Sequence, residues 1–169
     1  MKWIRRVALL VALLAGGFAI VASAARFMDG PLGPFPGGPL EAGPLSSADS
    51  DWSFTAGIQE VELQLLTPSR SRTTWILEDA GSAYIPCGFL KKPLFKQWHR
   101  DAMKDGGAIV RIAGRRYAVA LERVTEIELE ARLFEAMRGK YELPAAPHDR
   151  DDVWFFRLTP RSSESEGTS

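Results

Sequence analysis

Two guanidiniums and three hydroxyls sit side by side at Arg70-Ser71-Arg72-Thr73-Thr74. Carried on one turn, donors at that density would cradle a phosphate, because guanidinium gives charge-assisted, often paired hydrogen bonds and hydroxyls add neutral donors. The competing fate of such a turn is a solvated basic loop, since exposed charges often contribute nothing measurable. Trp75, Tyr84 and Trp98 could wall a conjugated ring, or could fill the core. The candidate cofactor-binding set is therefore Arg70, Ser71, Arg72, Thr73, Thr74, Trp75, Tyr84 and Trp98. No catalytic residue stands out. Cys87, the single cysteine, reads as a small buried residue with nothing to mark it as a thiolate. His99 and His148 are the only histidines and have no cysteine at ligand spacing, so no metal site is expected. No Ser, His and Asp grouping with a strand-to-helix nucleophile turn supports a hydrolase.

The elements that must position these residues read as mainly β. Val61, Leu63 and Leu65 alternate with Glu60, Glu62 and Gln64, the period of a half-buried strand. After a polar break at Pro68–Arg72, Thr73–Leu77 and Ser82–Pro86 read as strands of a hairpin turning at Asp79-Ala80-Gly81. Leu94–Lys104 has helical spacing, with Phe95, Trp98 and Met103 inward and Lys96, Arg100 and Lys104 outward. Ile109–Ile112 and Tyr117–Leu121 flank a tight turn at Ala113-Gly114-Arg115. Thr125 and Glu128 have capping-box spacing, which predicts a helix through Met137 that turns Ile127, Ala131 and Phe134 inward and stops at Gly139. Val153–Leu158 is a last, aromatic strand. Six strands and two helices joined mainly by hairpins predict an α+β fold, a six-stranded split barrel, over residues 52–160.

The N-terminus places that domain. Residues 1–6 hold Lys2, Arg5 and Arg6, and no charge follows until Arg26. Val7–Ala25 as a helix would span roughly 28 Å at about 1.5 Å per residue, close to the bilayer core. Flanking Lys and Arg favour a cytoplasmic N-terminus, so the expectation is a single-pass inner-membrane protein with its domain on the extracytoplasmic side. Ala22-Ser23-Ala24 leaves a cleaved signal peptide as the alternative. Residues 26–51 are rich in Pro and Gly and read as a spacer or a fixed extended arm, in which Leu32, Phe35 and Leu40 have apolar surface to pack. Residues 161–169 read as a disordered tail. Formal net charge is zero, which argues against a nucleic-acid partner.

The run from Val61 to Val119 resembles the flavin-binding split β-barrel proteins, in the deazaflavin-dependent nitroreductase or quinone reductase branch. The matching motifs are Leu63-Gln64-Leu65-Leu66-Thr67, Ser69-Arg70-Ser71, Arg72-Thr73-Thr74, Tyr84-Ile85-Pro86-Cys87-Gly88, Gln97-Trp98-His99-Arg100 and Ile112-Ala113-Gly114-Arg115-Arg116-Tyr117. The resemblance implies FMN or a deazaflavin as cofactor, reduction of lipid-soluble quinones or nitro compounds, and leaves homodimerisation open. A different class fits the lack of glycine between Gly57 and Gly81: a cofactor-free barrel serving as a binding or structural module in the envelope.

Overall fold

The computed structural model describes residues 2–46, 51–91 and 98–161. Helix α1 (Lys2–Ala24) continues into a 3-10 turn at Ala25–Phe27, and its apolar stretch is long enough to cross a membrane. Strands β1 (Leu45–Ser46), β2 (Glu60–Leu65), β3 (Arg70–Trp75), β4 (Leu77–Asp79) and β5 (Ser82–Gly88) follow. Helix α2 (Trp98–Lys104) then leads to β6 (Gly107–Ile112), β7 (Arg115–Arg123), helix α3 (Ile127–Lys140) and β8 (Val153–Pro160). The sheet runs β3-β2-β6-β7-β8-β5-β4, with every neighbour antiparallel, while β1 lies parallel on β7. Because β3 and β4 are one stretch of chain interrupted at Ile76, the two ends of that order meet. The sheet therefore curls into a half-barrel with a seam between β3 and β5.

Alternation along each strand sorts the side chains into two cores. Leu63, Leu65, Ile85, Cys87, Val110 and Phe156 fill the concave side, closed by Trp98 of α2. On the convex side Leu77, Tyr84 and Phe155 meet Leu129, Leu133, Phe134 and Met137 of α3. Both tight turns form as two-residue hairpins, with φ of 50° and 78° at Ala80 and Gly81 and 48° and 78° at Ala113 and Gly114, the mirror-image turn that matches strand twist.

Several expectations need correction. Among the described residues there are eight strands rather than six: β1 is additional, and the expected Thr73–Leu77 strand starts at Arg70 and is divided at Ile76. The α3 cap is Glu126, without a side-chain bond, so the Thr125–Glu128 box does not form, and the helix runs through Gly139 to Lys140. Its buried stripe holds Glu130, Leu133, Phe134 and Met137, leaving Ile127 66% exposed and Ala131 outside. Glu130 misled the pattern: a carboxylate inside the stripe, paired with Arg150, hides the true apolar face. Met103 of α2 is exposed, and the expected first turn of that helix at Leu94–Gln97 lies outside the described residues, as does the tail beyond Arg161.

The Pro/Gly-rich stretch lies across the convex face of β2, β3 and β6. Gln64, expected outside, is buried there and accepts the Leu40 amide at 2.6 Å while donating to Ser69. Arg111 forks between Asp29, at 2.8 Å, and Glu62, and Arg116 donates to the carbonyls of Leu40 and Gly43. The close fit explains the glycines: a Cβ on Gly37 would lie 1.7 Å from the Gly30 carbonyl oxygen. Burial pulls the Asp29 carboxyl up, but the Glu41 amide, the Arg111 guanidinium and the Ala42 amide together hold it below the usual carboxylate value.

Candidate functional site

A cleft of about 720 Å³ opens where the seam separates β3 from β5. Ile76 creates it. At this residue the chain leaves β2 and joins β5, so its backbone groups have no ladder partner and need side chains instead. Tyr141 supplies one, its hydroxyl accepting the Ile76 amide at 3.0 Å, and Lys140 donates to the Ile76 carbonyl at 2.9 Å. Burial raises the pKa of Tyr141 and lowers that of Lys140. The Tyr141 ring stacks on Trp75 with centroids 4.1 Å apart and planes 10° from parallel. Bend, clamp and aromatic stack form one unit.

Most of the wall comes from β3, β5, α3 and the arm, with Val153 of β8 and Leu143 completing it. Strand β3 gives Thr73, Thr74 and Trp75, and β5 gives Pro86 and Gly88, with Phe89 just beyond its end. Phe134 and Met137 project from α3, and Gly33 and Pro34 close one side from the arm. Two carboxylates, Glu60 and Asp152, lie on the rim, and no cation is among the described lining residues. Such a site suits a flat apolar body that hydroxyls can orient, and it repels an anion.

The eight residues singled out in sequence are distributed over separate places: the pleat of Arg70–Trp75 turns Ser71 and Arg72 to opposite faces, and Tyr84 and Trp98 belong to β5 and α2. Thr73, Thr74 and Trp75 line the cleft. Ser71 is 0% exposed beneath the arm, where its hydroxyl donates to the Gly38 carbonyl at 2.6 Å and its backbone bridges Gly37. Arg70, half-buried at the start of β3, has its pKa lowered by burial and then by Arg26. Arg72 turns to the concave side, opposite Leu63, with its guanidinium 5.6 Å from the centre of the Trp98 ring. Burial lowers its pKa to about 10 against the opposing pull of Cys87 and Asp101. Tyr84 is buried under α3 with Arg157 over its ring, away from the cleft.

Sequence reasoning missed Tyr141, Lys140, Glu60, Phe89, Phe134, Met137 and Asp152. A signal existed for the α3 pair in its apolar spacing, but none for Tyr141, whose role depends on where Ile76 bends. Among the described residues no group of three or more His, Cys, Asp or Glu is placed to hold a metal ion.

No family model matches this chain, and no curated protein does. Among solved structures, a Listeria innocua protein assigned as a pyridoxamine 5'-phosphate oxidase aligns at 13% identity and TM-score 0.48, over 62% of this chain and 85% of that one. An F420 reductase aligns at 13% identity and TM-score 0.44, over 68% of this chain and 96% of that one.

Proposed function

We propose that this chain is a membrane-tethered split-barrel protein whose seam cleft binds a flat, lipid-soluble ring compound without negative charge. One observation carries the reading: apolar walls backed by the Trp75–Tyr141 stack open beside two carboxylates, with no lining cation among the described residues. Among the described residues, that lining offers a phosphate no cation. The Ser71 hydroxyl is held by Gly38, and Arg72 points into the barrel. Helix α1 is the tether in this reading, with Lys2, Arg5 and Arg6 on the cytoplasmic side and the barrel on the other.

The test is a titration of the full chain in detergent with menadione, riboflavin and FMN, following tryptophan fluorescence. Menadione and riboflavin should quench it, and FMN should bind about tenfold more weakly than riboflavin, as expected when a phosphate approaches two carboxylates. Absence of menadione binding would overturn the proposal.

A reductase of quinones or nitro compounds using FMN or a deazaflavin is the second reading. Thr73, Thr74 and Trp75 on the cleft wall favour it, together with the motif resemblance from Val61 to Val119. FMN binding tighter than riboflavin, with the advantage lost in Arg72→Ala, would install it in place of the first.

A further inference from the structure

We infer that the arm hairpin Leu32–Phe35 is the bilayer-facing lip of the cleft, so that ligand enters sideways from the membrane. The inference rests on the cleft reading above and on α1 lying in the bilayer. Leu32 and Phe35 exchange both backbone hydrogen bonds, at 3.1 and 3.0 Å, which makes Gly33 and Pro34 the hairpin tip. Both tip residues line the cleft. The same hairpin packs on the helix, where the Phe35 ring lies 4.8 Å from that of Phe18. Phe18 precedes the helix end at Ala24 by six residues. That separation puts it roughly 9 Å along the axis at about 1.5 Å per residue, within the apolar span. A segment level with Phe18 lies in the boundary between headgroups and acyl chains, which interfacial elements enter by about 5–10 Å.

The chemistry of the lip suits that depth. Its two paired amides and the missing N–H of Pro34 leave little unsatisfied backbone to desolvate. Large apolar side chains are exposed around it: Phe27 at 91%, Phe89 on the cleft rim at 55%, Met28 at 49% and Leu32 at 42%. Exposed apolar side chains on both sides of the lip mark a membrane or partner site, and Phe27, Met28 and Leu32 follow α1 directly in the chain, which selects the membrane. Arg26, just past the helix end, lies close enough to Arg70 to lower its pKa after burial has done so, and two cations on the water side of the lip fit anionic headgroups.

The full chain carrying Pro34→Cys is labelled with the fluorophore NBD and reconstituted in phosphatidylcholine/phosphatidylglycerol vesicles. Cys87 is fully buried, so the parental chain serves as labelling control. NBD at position 34 should emit to the blue and be quenched by brominated phosphatidylcholine. The same label at exposed Glu122→Cys, outside the cleft, should respond to aqueous iodide instead. Separately, Phe35→Asp should slow loading of a long-chain menaquinone from vesicles by about tenfold, since a carboxylate is expelled from the acyl boundary, while menadione binding in detergent stays within about twofold. A label at 34 that behaves like the label at 122, or unchanged menaquinone loading in Phe35→Asp, overturns lateral entry. Vesicle flotation and menadione binding are measured alongside. Loss of either removes the anchor or the cleft and this inference with it, whereas a water-exposed position 34 with both intact defeats this inference alone.

Discussion

The convex face of one curled sheet carries two covers of opposite character. Over β4, β5 and β8 lies α3, held by Leu133, Phe134 and Met137 against Leu77, Tyr84 and Phe155. Over β2, β3 and β6 lies the arm, held by Arg111 between Asp29 and Glu62, by Ser71 on Gly38 and by Gln64 on Leu40. The first cover is adhesive through area removed from water, which is non-directional and insensitive to pH. The second works through directional bonds and a backbone approach that only glycine permits. The cleft lies where the two covers meet, with Phe134 and Met137 on one side and Gly33 and Pro34 on the other. The cleft thus has one wall held by apolar burial and one held by directional bonds.

The largest test of this contrast is Phe134→Ala. Phe134 is 7% exposed in the α3 core, and its loss should cost about 3–5 kcal/mol in denaturant unfolding of the whole domain. A cost under about 1 kcal/mol would mean that the helix is as lightly held as the arm.

Arg111→Ala comes next. Only 12% of its side chain is exposed, and removal leaves Glu62 and Asp29 without their cation, a local loss of about 2 kcal/mol. The loss should appear as faster amide exchange at Gly37 and Leu40 with little change at Leu133. Acid should do the same to the intact chain. A carboxyl whose folded pKa is lowered stabilises the fold above its ordinary value, 3.8 for Asp29, and that contribution disappears as the pH falls through the lowered value. Arm amides that stay equally protected at pH 6 and pH 3 would refute the polar-cover account.

The smallest effect belongs to Arg132→Ala. Its 2.8 Å pair with Asp79 joins α3 to β4, but the arginine is 59% exposed to screening solvent, and its loss should leave the unfolding midpoint unchanged. Equal losses for Arg132→Ala and Arg111→Ala would erase the distinction, because ion pairs would then count alike on both covers.

The sequence by itself determined the local pieces. Strict alternation from Glu60 to Leu65 set β2, Asp79–Gly81 and Ala113–Arg115 set the hairpins, and the uncharged run after Arg6 set α1, since each depends on neighbours a few residues apart. Even there, one buried carboxylate was enough to misplace the α3 face, because Glu130 gains its partner Arg150 only in the folded chain. The site was another matter. Arg70–Trp75 looked like one cluster, and the pleat of β3 sends Ser71 under the arm, Arg72 into the barrel and Trp75 to the cleft. Which of those faces meets α3, and that Tyr141 and Lys140 should clamp Ile76 across 65 and 64 residues of sequence, follows from sheet closure. Closure is a property of the register of every strand at once, so no window of sequence holds it, and the cleft exists only where the bent strand leaves its seam open.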